Sequence, residues 1–252
     1  MTFPDDGELF LAPQRKSETL IFFAHHFQGH KKSLRRHIEF VNELGFDAYA
    51  FNLNDSPKNH YYLPYSHISK KFGMKHALAD QIEQHFNLLS DYKTKVIFAF
   101  SNVTGCCIEF MARHFTSGHT DIKALICDSG PGGKFIYSAF QLLEYQMGIK
   151  SLPLKILGTP FVALGWAPSL HKDIRSDLEK FPMHFPLLSI RGWKDPMISP
   201  KHIDEIFEAA TKLKWQKCGL PQAAHLNGLR DFPSEYKPAV ITFLQESAGL
   251  RS

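Results

Sequence analysis

A chain of 252 residues with 44% hydrophobic and 21% charged composition can bury one large core, and a single α/β domain over residues 1–252 is the expectation. The formal net charge of +4 is mild, and the densest basic stretch, His30 to His37, falls on an expected helix face, which argues against a nucleic-acid partner. Four cysteines with no C-x-x-C pair or paired framework point to a reducing, cytoplasmic setting.

Met1 to Glu8 carries acidic residues and no apolar signal core, so no secretion leader is expected. Thr19 to His25 is a continuous apolar run of strand length, as a strand buried on both faces requires. Leu34, Ile38, Val41 and Leu44 then recur at helical spacing, and Gly45 supplies a stop. Phe46 to Asn52 is a second strand, so the unit reads βαβ with a parallel pair. The alternation continues with a helix carrying Met74, Leu78, Ile82, Phe86 and Leu89, a strand Lys95 to Phe100, a helix Thr104 to Phe115 and a strand Lys123 to Asp128. It resumes with a strand Pro186 to Arg191, a helix Pro200 to Leu213, a short strand Lys214 to Cys218 and a helix Pro233 to Glu246. Strands separated by helix-length segments predict a doubly wound, mostly parallel sheet.

Residues 132–185 break the alternation and read as a helical lid insertion that gives a pocket an apolar roof. This segment holds an aromatic amphipathic helix (Phe135, Ile136, Phe140, Leu143, Met147), an apolar stretch from Leu152 to Trp166 interrupted by Gly158, Pro160 and Gly165, and a charged helix from His171 to Phe181. The apolar stretch is too short and too interrupted to span a membrane.

In sheets of this kind ligands bind at the carboxyl ends of the strands. Three residues stand there in the order nucleophile, acid, base: Ser101 after Val96 to Phe100, Asp195 after Pro186 to Lys194, and His225 before the last helix. A serine hydroxyl needs a base to take its proton, and the base needs an acid to hold its tautomer. A tight strand-to-helix turn at Ser101 would aim the Asn102 N–H at a developing oxyanion. The loop His25 to His30 offers the Phe27 N–H as a second donor.

Three alternatives stand beside these assignments. Asp128 ends the preceding strand and rivals Asp195. The elbow reads Ala99-Phe100-Ser101-Asn102-Val103 without the glycines of G-x-S-x-G, and a shifted register ending at Gly105 would put Val103 at the nucleophile point. Val103 is β-branched and ill suited to positive φ, which favours Ser101. His26 and His30 are four apart, but no carboxylate accompanies them, so neither a metal nor a cofactor is expected. Tyr61, Tyr62 and Tyr65 are candidates for a pocket mouth.

Phe100-Ser101-Asn102, Cys127-Asp128-Ser129-Gly130-Pro131-Gly132 and His225-Leu226 with Arg230-Asp231-Phe232-Pro233-Ser234-Glu235-Tyr236 resemble motifs of the transmembrane protein 53-like family within the α/β-hydrolase superfamily. That resemblance implies an α/β-hydrolase-like fold and supports Ser101 as nucleophile. Val103 and Thr104 replace the paired glycines of that family, and His26 stands where a glycine is usual. The residues leave three readings open. The first is a serine esterase or thioesterase acting on a small-molecule ester or thioester with an apolar acyl group. The second is a degenerate fold binding a small ligand or a protein, and the third is an acyltransferase.

Overall fold

The computed structural model describes residues 3–55 and 64–249, and all their side chains except those of Phe135 and His171. Tyr61 and Tyr62 therefore lie outside the described residues. Seven strands, β1 (Gly7–Phe10), β2 (Thr19–Ala24), β3 (Asp47–Phe51), β4 (Thr94–Phe100), β5 (Ile122–Asp128), β6 (Phe185–Gly192) and β7 (Leu213–Leu220), form one sheet in the order β1-β3-β2-β4-β5-β6-β7. Every neighbouring pair is parallel except β1 and β3.

Side chains alternate between the faces of a strand. Leu20, Phe22 and Ala24 of β2 accordingly join one core cluster, and Ile21 and Phe23 join the other. In β4, Ile97 and Ala99 separate in the same way from Val96, Phe98 and Phe100. Both faces are buried because helices cover both. The helices are α1 (Arg35–Glu43), α2 (Met74–Asn87), α3 (Val103–Thr116), α4 (Phe135–Tyr145), α5 (Leu152–Trp166), α6 (Leu170–Leu178), α7 (Pro200–Phe207), α8 (Gly228–Asp231) and α9 (Pro233–Ser247). Ile38 and Val41 of α1 with Tyr236, Val240 and Phe243 of α9 close one face; Leu78 and Ile82 of α2, Phe110 of α3 and Ile203 of α7 close the other. Each fully buried Phe or Leu contributes about 1.5–3 kcal/mol relative to exposure.

Five elements differ from the expectations. The antiparallel edge strand β1 and the single-turn α8 carry no periodic signal long enough to read. α7 ends at Phe207, not Leu213, because Leu213 begins β7 beside Phe185. α5 is one continuous helix through Gly158 and Pro160. Packing outweighs the two breakers there: Leu143 of α4 lies 3.2 Å from where a Gly158 Cβ would stand, so the missing side chain lets the two helices close. In α4 the buried positions are Ser138, Ala139, Leu142 and Leu143, while Ile136 of α4 and Met147 beyond its end face outward.

α6 is fastened to the body by buried charge. Lys75 of α2 has no exposed side-chain surface and donates to Glu109 of α3 at 2.7 Å and to Asp177 of α6 at 3.3 Å. Burial pulls the ammonium down, but the two carboxylates hold it above the ordinary lysine value. Among the described residues no helix is long and apolar enough to cross a membrane.

Candidate active site

The loops that follow the carboxyl ends of β2, β4, β6 and β7 border one cavity. At the end of β4 the chain turns directly into α3, and Ser101 takes the turn at φ 55°. The left-handed position falls on Ser101; Val103 is the first residue of α3 and is fully buried. The room that a glycine would supply within the elbow comes from the neighbouring strand end. A Cβ at Gly130 would stand 2.1 Å from the Ser101 carbonyl oxygen, so only glycine lets the β5 loop lie against the turn.

Ser101 Oγ is 3.0 Å from His225 Nε2, and His225 Nδ1 is 2.6 Å from Asp195 Oδ2. Asp195 is held by its own turn, its Oδ1 accepting from the Met197 N–H at 2.8 Å and the Ile198 N–H at 3.0 Å. With Oδ1 so occupied, Oδ2 is left to receive the His225 ring N–H, which in turn leaves Nε2 as acceptor for the serine proton. The side chain of Asp195 is 1% exposed and that of His225 is 15% exposed, so the acid is shielded while the base reaches the cavity.

Asp128 does not reach His225. Its Oδ2 accepts from the Tyr236 hydroxyl at 2.8 Å and its Oδ1 from Ser129 Oγ at 2.9 Å. Burial pushes its carboxyl up to about 6, against the opposing pull of the two hydroxyl donors. Ser129 Oγ also accepts the Leu226 N–H at 3.2 Å, next to His225. A chain of hydrogen bonds thus runs from α9 through the end of β5 to the histidine loop. This chain was not anticipated from the residues, although its ends lie in the segments quoted above for a family resemblance.

The first strand's loop forms the opposite wall. Gln28 sits at φ 57°, and its N–H donates to Asp55 Oδ2 at 2.5 Å. His25 donates from Nδ1 to the His26 carbonyl at 2.7 Å, and its Nε2 accepts the Leu53 N–H at 2.9 Å. Both His25 nitrogens therefore hold backbone, and among the described residues no group of three metal-ligating side chains is assembled. His26 lines the cavity; burial and the nearby His25 and His225 lower its pKa to about 4, which keeps it neutral. Phe27 packs edge-on against Trp166 of α5 at 5.1 Å, and its carbonyl accepts from Gln146 Nε2 at 3.0 Å. Asn102 Oδ1 accepts the Gly132 N–H at 3.2 Å.

The cavity measures about 460 Å³, and Ser101, Asn102, His225, Phe27 and His26 border it on the sheet side. Leu142, Tyr145, Gln146 and Met147 from α4 and the turn after it, with Val162, Gly165 and Trp166 of α5, border the other side, and Met74 and Met197 complete an apolar lining. Tyr65 does not line it.

No family model matches the sequence, and no curated protein matches it. Solved structures do match. The chain is similar to an esterase of Pyrococcus furiosus, with TM-score 0.65 and 19% identity over 92% of this chain and 82% of that one. It is also similar to a carboxyl esterase of Bacillus coagulans, with TM-score 0.66 and 14% identity over 95% and 93% of the two chains. An epoxide hydrolase of Bacillus megaterium matches with TM-score 0.58 and 15% identity over 95% and 96%. At such identities the likeness speaks for architecture alone, and the chain has the α/β-hydrolase fold.

Proposed function

We propose that this protein is a serine hydrolase that cleaves a small-molecule ester or thioester with an apolar acyl group. The observation that carries the reading is the Ser101–His225–Asp195 hydrogen-bonded series, at 3.0 and 2.6 Å, opening on an apolar cavity. Ser101 Oγ attacks the acyl carbonyl as its proton passes to His225 Nε2, and Asp195 stabilises the imidazolium that forms. The N–H groups of Phe27 and Asn102 receive the negative charge on the carbonyl oxygen. Collapse of the tetrahedral intermediate breaks the bond to the leaving oxygen or sulfur, which takes the proton from His225. A water, deprotonated by the same nitrogen, then releases the acid. The segment 132–185 acts as the lid, its α4 and α5 supplying the apolar wall.

Esterases among the similar structures support the reaction class. The likeness to transmembrane protein 53-like proteins remains part of the proposal, supported by the Tyr236–Asp128 hydrogen bond that joins two of the resembling segments. Four buried free thiols fit a reducing cytoplasm.

The test is intact-mass detection of a covalent adduct after exposure to a fluorophosphonate. The expected result is one adduct on the wild type and none on Ser101→Ala. A folded wild type that takes no adduct would overturn the reading in favour of a ligand-binding protein without turnover.

A further inference from the structure

The outward side of α5 carries six large apolar residues, Leu152, Leu154, Ile156, Leu157, Phe161 and Leu164, each between 54% and 73% exposed. At 100° per residue they sweep one continuous face of roughly 200°, opposite the inward Lys155, Thr159 and Trp166. Lys155 is the one charged residue of the helix, and it points inward, paired with Glu144 and lying 4.4 Å over the Phe140 ring. The face is therefore free of charge along its length. A hollow of about 580 Å³, lined by Ile136, Thr159, Pro160, Ala163 and Leu164 with Lys172 at its end, deepens it.

The surroundings of this face are basic. From Tyr145 to Lys172 the sequence contains no aspartate or glutamate. Lys150 precedes the helix and Lys172 follows it, both exposed. A helix of 15 residues is about 22 Å long, short of the roughly 30 Å hydrocarbon core, so such a helix lies in an interface and does not span it. Exposed cations at both ends of an uncharged apolar face match an anionic headgroup layer above acyl chains. A second copy docked through the same face would bring these like charges into one interface, which disfavours a dimer.

We propose that α5 seats the protein on an anionic lipid surface, its apolar face entering the headgroup and acyl boundary and Lys150 and Lys172 meeting lipid phosphates. Tyr145 and Met147, at the end of α4 and in the turn that leads to α5, line the cavity already described and are also 56% and 50% exposed, so that cavity has an apolar rim near the same helix. The seating itself goes beyond the hydrolase reading and does not require it.

The test is co-sedimentation of the purified full chain with vesicles of phosphatidylcholine containing about one-third phosphatidylglycerol, beside vesicles of phosphatidylcholine alone. The wild type is expected to partition onto the anionic vesicles at least about tenfold more than the double variant Leu157→Asn, Phe161→Asn, with salt reducing the binding. Ser101→Ala is expected to bind as the wild type does, so a failure of seating and a failure of catalysis are read separately. Thermal unfolding of the double variant serves as the control on its fold, since both residues are surface groups. A wild type that stays in the supernatant overturns the proposal. So does a lipid-free dimer that reverts to monomer in the double variant, because the face would then belong to a second copy.

Discussion

At the scale of single residues, Asp128 is a carboxylate that folding takes out of water. It is fully buried, and that burial raises its carboxyl from the ordinary aspartate value of about 3.9 to about 6 in the folded protein. The folded state therefore holds a proton between pH 4 and pH 6 that the unfolded chain has released, so stability falls as pH rises through that window. The difference amounts to about 3 kcal/mol. Asp128→Asn keeps acceptors and donors for Tyr236 and Ser129 and has no charge to bury. Urea unfolding of wild type and variant at pH 4 and pH 7 is expected to show the variant gaining that much relative to the wild type at the higher pH. An unchanged difference would mean that Asp128 is solvated or paired.

The strand-end positions of Ser101, Asp195 and His225 could be read in the sequence because each follows an apolar run or a turn that topology places at one rim. The stereochemistry there could not. Of the six non-glycine residues at positive φ among the described residues, four, Gln28, Ser101, Ser129 and Leu226, belong to loops around this cavity. None of the four is the glycine that would mark such a turn, and each conformation costs about 1–3 kcal/mol that the surrounding hydrogen bonds must outweigh. The glycine that makes the elbow possible, Gly130, follows a different strand from the serine, which hides it from any motif read locally.

At the scale of elements, periodicity reported helices wherever one apolar stripe meets the sheet, as in α1, α2, α3 and α9. It misjudged α4 and α5, which pack mainly on each other and turn apolar residues outward, so apolar no longer means buried. α6 is held by a different kind of contact. Lys75→Met retains the length of the stem but removes the buried ammonium that joins Glu109 to Asp177, leaving the first with His76 and the second with Lys180. Breaking a buried pair of this kind costs about 3–5 kcal/mol, read as a lower urea midpoint. Hydrogen exchange over Leu170 to Leu178 is expected to accelerate more than exchange over β2 or β4. A variant as stable as the wild type would show that apolar packing of Ile174 and Leu178 is enough to hold α6.

At the scale of the molecule, Ser101, Asp195 and His225 hang from three different strands, and the serine and histidine are 124 residues apart in the chain. No fragment ending before β7 contains the set, and helices that form early contribute nothing to it. A contact between such distant parts of a chain is among the last to form, because its loop-closure entropy must be overcome first. Reactivity of Ser101 toward a fluorophosphonate, sampled during refolding from urea, should therefore rise with the final, global phase and lag the far-ultraviolet signal of helix formation. On the proposed reading, Ser101 would then stay silent on a growing or half-folded chain and switch on only when the whole sheet has closed.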